Sequence, residues 1–469
     1  MSATLDEPPK NSVPGIFRPP SANLTSALRR RALGGLLVAL TLAGCMKEPV
    51  IPLPPPAPKT EAKARPPSPG PQLAFELAAQ QQVVGVTQVT RVQGDETLLD
   101  IARRFHLGYD EMEWANRDVD VWVPGDGREV VLPVAQILPD APHQGLVANL
   151  AARRLFHFLP PNASGKQRVV SYPIGIGREE FPTPLGTTQV TRKRAYPDWR
   201  VPASVRLAHA LRGDPLPAVV PGGPDNPIGT HVLDLGWPTY VIHSTNKPSG
   251  TGLRVTHGCL QLYPEDITRL YDQADVGTPV TVVDQPILAG WQGDQLLLEV
   301  HKPLEEHAMT ANAAEAVATV AIRKALAARG RDERDVDWER VRTYVQSQPG
   351  YPLPVLRGAP ERGAFLAMAP LYAPPPIQQA QRQSEPAPTA AAWYLHLGDY
   401  QGENNARKLV AQLRHLGPPV PATMRPFAGR HEVTAGPFPD RQDAERIAHR
   451  IEVELGLRGE LKRPADAGA

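Results

Sequence analysis

Cysteine is nearly absent: 469 residues hold only Cys45 and Cys259, so no disulfide framework can staple the chain and each thiol needs its own explanation. An excess of one charge is also lacking. Fifty Lys and Arg stand against 49 Asp and Glu, for a formal net charge of +1, which excludes partners drawn by bulk electrostatics, such as nucleic acid or an anionic membrane. Proline, by contrast, is plentiful. The 54 prolines are about twice average usage and belong in linkers rather than cores. With 41% hydrophobic residues the chain is a soluble, folded one, and its length calls for about two to four domains.

Near the N-terminus Arg29, Arg30 and Arg31 precede an apolar run from Ala32 to Leu42. That run has the length of a secretory signal core and falls short of the ~20 residues that span a bilayer. It ends in Leu42-Ala43-Gly44-Cys45, which resembles a bacterial lipobox. The resemblance implies cleavage before Cys45, acylation of its thiol and amine, and, with Met46 rather than aspartate next, transport through the periplasm to an outer membrane. A buried helix with an incidental cysteine is the alternative. Residues 1–45 are thus expected to be a lipoprotein signal peptide and 46–82 a Pro-rich linker. A polyproline II spacer from Pro49 to Pro71 would reach on the order of 70 Å.

From 83 to 135 the pattern changes. Val84, Val86, Gln88, Thr90 and Val92 alternate as in a half-buried strand, and Leu98, Ile101, Ala102 and Phe105 share one helical face. A second helix is expected over Tyr109 to Ala115 and a closing strand over Glu129 to Leu132. This βααβ order, with its GDxT, LxxIA and terminal LP, resembles a LysM domain. That implies either binding of N-acetylglucosamine chains or structural docking on a neighbour.

Two further units follow the centre of the chain. Residues 286–357 read as a helical extension, with an alternating strand from Trp291 to Val300, an Ala-rich helix from Ala311 to a stop at Gly330, and a stripe of Trp338, Val341 and Val345. A Pro/Gln-rich linker is expected over 358–391. Beyond it, over 392–464, an alternating strand from Trp393 leads to a stripe of Ala406, Leu409, Val410 and Leu413. His431 to Phe438 then precedes a second helix with Ala444, Ile447 and Ile451. This duplication resembles a SPOR domain, which implies a ferredoxin-like αβ fold and binding of peptide-stripped glycan strands, with His396 and Glu432 as candidate sugar-facing residues.

The centre carries the chemistry. Ile242-His243-Ser244-Thr245 is followed by Val255-Thr256-His257-Gly258-Cys259-Leu260-Gln261. Acyl transfer through a thiol needs a base that titrates near neutrality and a group holding that base in one tautomer. His243 is the natural base, and Gly258 lets amides around Cys259 approach an oxyanion. Two other readings stay open: a buried inert thiol, and a zinc site of His243, His257 and Cys259.

These residues resemble the YkuD-type L,D-transpeptidase signature, and so do landmarks at Gly177-Arg178, Thr183-Pro184-Leu185-Gly186, Val190 to Lys193, Pro202 to Arg206 and Gly223 to Gly229. The match runs over 145–285 and implies a mainly-β catalytic domain within a multidomain α+β chain. It implies Cys259 as nucleophile and His243 as proton donor and acceptor, oriented by the backbone carbonyl of Ser244, with His257 and Gly258 shaping the pocket. The implied reaction cleaves the L,D bond before the terminal D-residue of a tetrapeptide stem, without metal or other cofactor. The acyl group passes to a stem amine, a lipoprotein lysine or water. Gln261 departs from the Arg or Asn usual after the cysteine, and Arg254 is the expected substitute for holding a stem carboxylate. Competing expectations are a peptidoglycan-binding scaffold of weak activity and a cell-wall cysteine hydrolase. Expected partners are stem peptides, glycan strands, the outer membrane and lipoprotein acceptors, but not nucleic acid.

Overall fold

The structure, a computed structural model, describes residue 65, residues 68–373 other than 79, 212 and 224, and residues 392–463. Cys45 and the expected signal peptide lie outside them. Among the described residues no helix is long and apolar enough to cross a membrane.

Nine strands form the sheet that carries the site, in the order Ala74–Leu77, Gln167–Pro173, Arg154–Phe158, Gly145–Asn149, Pro279–Val283, Gly186–Ala195, His231–Leu235, Val241–His243 and Leu260–Gln261. Strands 145–149 and 154–158 are buried along their whole length, as expected of strands covered on both faces. A bulge between Val190 and Arg192 hands one long strand from Pro279–Val283 to His231–Leu235. Ile242, Leu260, Leu262, Ile267 and Leu270 meet in the core beneath the last strands. Val241–His243 and Leu260–Gln261 run parallel, so the chain between them must cross over. That crossover is a loop containing the turn Pro248–Gly250 and the strand Arg254–Thr256, which pairs with Ile176–Gly177.

The expected βααβ order is present as Gln88–Arg91, Leu98–Arg104, Tyr109–Ala115 and Glu129–Leu132. Thr97 and Asp100 close a reciprocal cap at the first helix. The first strand is shorter than its alternation suggests, because Gly85 turns at φ +71°, with Val134 O only 2.5 Å from where a Cβ would sit. Val83–Val84 pairs instead with Gln136–Ile137. Two presumed linkers are also partly built into the fold. Ala74–Leu77 edges the nine-stranded sheet, and Leu371–Tyr372 adds a parallel strand beside Gln88–Arg91. Such two- to four-residue edge strands lack the length to show periodicity.

This module is docked on the sheet by buried ion pairs, Arg154 Nε to Glu111 Oε1 at 2.6 Å and Arg153 Nε to Asp110 Oδ2 at 3.2 Å. Gly252 (φ +92°) abuts Gly108 so closely that an added Cβ would lie 2.6 Å from the Gly108 Cα.

The extension keeps both expected helices, but the single strand expected from Trp291 to Val300 is divided and sits in a small sheet. Trp291 and Val300 lie on two strands, Ile287–Gln292 and Gln295–Val300, which turn at Gly293 and form a three-stranded sheet with Leu353–Pro354. Helices Ala311–Ala327 and Trp338–Ser347 pack on it around a separate core. The C-terminal unit is a β-α-β-β-α-β fold with sheet order Ala422–Phe427, Arg430–Phe438, Trp393–Tyr400 and Glu460–Lys462. Its helices, Glu403–Arg414 and Arg441–Leu455, complete the ferredoxin-like arrangement, and its two outer strands were not legible in the sequence pattern.

Candidate active site

The parallel register of Ile242 with Leu260 and His243 with Gln261 sets Cys259 beside Val241, one pleat from His243. His243 is buried and its Nδ1 donates to Ser244 O at 2.5 Å, which leaves Nε2 as the acceptor nitrogen. Burial pulls its pKa down to about 4, against a smaller upward pull from that carbonyl, so the ring is neutral. Burial likewise pushes the Cys259 thiol up, opposed by a backbone bond to Val241. The pair therefore rests as thiol and neutral imidazole.

The turn before Cys259 is closed by Thr256 Oγ1 donating to Cys259 O at 2.7 Å. Gly258 is required within it: φ is +95°, and a Cβ would come within 2.6 Å of Tyr240 Cε1. On the other side the thiol lies 3.9 Å from Thr239 O. Thr239 itself has φ +72°, a strained state for a β-branched residue that aims its carbonyl at the sulfur. Ser244 is buried against Gly229, where a Cβ would meet it at 2.2 Å.

His257 precedes Gly258 in the same turn. Its Nε2 accepts from Arg178 Nη2 at 2.7 Å and its ring lies 4.4 Å from that of Phe181. That guanidinium takes Nε2 and lies 3.4 Å from Nδ1, so its positive charge disfavours a zinc ion at His257. A separate group, His396, Asp399 and Glu432, brings ligand atoms within 4.8 Å of one another on the C-terminal sheet, with Arg425 paired to Glu432.

Cys259, His243, Ser244, His257 and Gly258 thus gather at one site. Arg254 and Gln261 sit behind it. The Arg254 guanidinium donates to Gly177 O at 2.9 Å, to Glu305 at 2.6 Å and to Glu306 at 2.7 and 2.9 Å. Its charge is therefore already matched by two carboxylates. Gln261 is buried against Gly175 and Gly250, where an added Cβ would come within 3.3 Å of its side chain. In the sequence Arg178 stands out only as a landmark, and neither Thr239 nor Tyr240 is marked as a site residue. The Gly-Arg dipeptide was the available signal for the first, and no signal exists for a strained threonine.

Residues 143–282 match the family model of the L,D-transpeptidase catalytic domain, YkuD, and residues 389–462 match that of the SPOR domain. The chain is accordingly a transpeptidase, an acyl-transferring enzyme, with a SPOR domain appended. It is 40% identical over 227 residues to Probable L,D-transpeptidase YbiS of Escherichia coli K12, covering 48% of this chain and 72% of that one. To Probable L,D-transpeptidase YcfS of the same strain it is 38% identical, covering 48% and 71%. To Probable L,D-transpeptidase ErfK/SrfK of Salmonella typhimurium LT2 it is 35% identical, covering 62% and 92%. The chain belongs to the L,D-transpeptidase family.

Proposed function

We propose that the enzyme remodels peptidoglycan by forming a thioester on Cys259. The observation that carries this reading is the pinned tautomer of His243 beside a thiol in a turn that only glycine can complete. His243 Nε2 takes the thiol proton as Sγ attacks the carbonyl before the terminal D-residue of a tetrapeptide stem. Amides around Cys259 hold the oxyanion, the C–N bond breaks, and His243 returns the proton to the departing D-amino acid. An amine then gives a proton to His243 and attacks the thioester, the C–S bond breaks, and the departing sulfur takes that proton from His243 to restore the thiol. The acceptor is another stem, giving a 3→3 cross-link, or a lysine of an envelope lipoprotein.

Residues 83–135 are read as a LysM domain serving mainly as a docked support, in keeping with its buried Arg154–Glu111 pair. Glycan strands are assigned to the open face of the SPOR sheet, where His396 and Glu432 lie. Cys45 is assigned the lipid anchor, with the enzyme facing the periplasm from the outer membrane. The deciding experiment incubates the purified protein with labelled tetrapeptide muropeptides. With a lysine-bearing lipoprotein peptide added in a parallel incubation, dimers or peptide adducts by mass analysis support the reading; formation of neither, with a fully reactive Cys259, defeats it.

A further inference from the structure

The loop between the base and the nucleophile is gripped from the SPOR side. Gly417, just past the helix Glu403–Arg414, approaches it so closely that a Cβ there would lie 2.0 Å from Asn246 O. Lys247 Nζ pairs with Glu454 Oε1 at 2.9 Å, and Ser249 Oγ donates to His415 O at 2.9 Å. The His415 ring is anchored in turn, with Nε2 3.0 Å from Thr97 Oγ1 and its ring 5.7 Å from that of Trp122. On the far side of the same loop, Tyr109 N donates to Thr251 O at 3.0 Å.

This loop begins immediately after His243. Lys247 N donates to Thr245 Oγ1 at 2.9 Å, so displacement at Lys247 is transmitted within two residues to the segment whose Ser244 carbonyl orients the base. A module that only tethers the enzyme to glycan would have no reason to close on this segment. The SPOR helices face the loop, whereas His396 and Thr434 are cross-strand partners on the opposite sheet face, away from buried Leu395 and Ala435.

We propose that the helical side of the SPOR domain is a positioning element of the active site, in which His415, Gly417 and Glu454 hold the loop that fixes His243. The inference rests on His243 and Cys259 being the catalytic pair. Misplacing a base by about 1 Å costs up to ~10²-fold in rate, so loosening this grip is read in turnover. Ground-state binding of a small donor stays nearly unchanged.

The test uses the full chain with Gly417→Ala, His415→Ala and Glu454→Gln, assayed on a soluble tetrapeptide donor that carries no glycan strand. Gly417→Ala is expected to lower kcat by about ten- to thirty-fold with KM within about two-fold. Glu454→Gln, which removes the partly exposed pair with Lys247 along with a longer one to Arg450, should lower it by about two- to five-fold. Amide hydrogen exchange over residues 244–252 should rise in step, while retention on peptide-stripped glycan stays at the wild-type level. Unchanged exchange in that loop in all three variants overturns the proposal whatever the turnover. Unchanged kcat with weaker glycan retention also overturns it and makes the domain a tether. A wild-type enzyme that forms no product from the donor instead fails the transpeptidase reading, and the exchange data still judge the grip.

Discussion

The Nδ1 of His243 donates to the carbonyl of Ser244 at 2.5 Å, so the imidazole proposed as the base is held by the backbone of its own neighbour rather than by a carboxylate. A carbonyl fixes the tautomer as a carboxylate would, but it adds no full negative charge to stabilise imidazolium. Burial then prevails and the ring stays neutral. In the proposed mechanism, proton transfer from the thiol is accordingly coupled to attack rather than completed beforehand.

The first expectation concerns the pair itself. Cys259→Ala abolishes turnover and covalent capture by a carbapenem, and His243→Ala removes most of the rate. The double variant is no worse than Cys259→Ala, because the two act as a unit. Intact-mass analysis after carbapenem treatment checks it, and labelling of Cys259→Ala refutes it.

The pH dependence follows from the same burial. His243 is competent only when neutral, so kcat/KM holds through mildly acidic pH and falls as pH drops through about 4. The raised thiol means that no thiolate absorbance is seen at neutral pH. Stability has the same sign. His243 and His157, both pulled by burial to about 4, bind protons more readily unfolded, where a histidine titrates near 6.5. Their contribution is complete above ~6.5 and is lost as pH falls toward 4. Buried Asp110, pushed up to about 6 by desolvation despite Arg153, opposes them in part. Denaturant titrations at several pH values in wild type and His157→Phe separate these contributions.

Gly258→Ala tests the turn. The added methyl meets Tyr240 at 2.6 Å and the residue must hold φ +95°, so a stability loss of about 1–3 kcal/mol is expected, with at least ~100-fold in kcat. Tyr240→Ala in that background relieves the clash but not the dihedral, so activity recovers only partly. Full recovery would show that sterics alone required the glycine.

The buried pair Arg154–Glu111 offers a measure of how tightly the βααβ module is held. Glu111→Gln leaves a buried guanidinium without its counter-charge and should cost about 3–5 kcal/mol, seen as a lowered unfolding midpoint. An unaltered midpoint would mean that the module contributes little to the folded core.

What was legible in the sequence was local. The helix of Leu98, Ile101 and Ala102, the β-α rhythm after Trp393, and the thiol, imidazole and glycine of the candidate site are all written within short windows. Long-range pairings were not. Glu305 and Glu306 reach back to Arg254, and Arg178 reaches forward to His257, and no periodicity announces which carboxylate an arginine will meet. Edge strands such as Leu371–Tyr372 were hidden for a related reason, since a two-residue strand is defined by its partner rather than by its own pattern.

Arg254 brings that difference to a test. Read from the sequence, it stands in for the missing arginine at Gln261 and holds a stem carboxylate, so Arg254→Ala would raise KM for carboxylate-bearing donors. In the structure it ties the strand before the catalytic turn to Gly177 O on one side and to Glu305 and Glu306 on the other. The carboxyl of Glu305 is held down to about 2: burial alone would raise it, but its own backbone amide, Lys302 and Arg254 prevail. A guanidinium so engaged acts by fixing Thr256 and His257, and its loss misaligns the turn while leaving two carboxylates to repel each other. Arg254→Ala is therefore expected to lower kcat by about ten-fold or more with little change in KM, and Glu306→Gln should do the same more weakly. Gln261→Arg, forced into the space beneath Gly250, should destabilise the fold by about 1–3 kcal/mol rather than improve donor use. Steady-state kinetics with free and amidated stem donors decide between the two roles. A KM increase in Arg254→Ala confined to the free carboxylate, with Glu306→Gln unaffected, would return Arg254 to substrate binding.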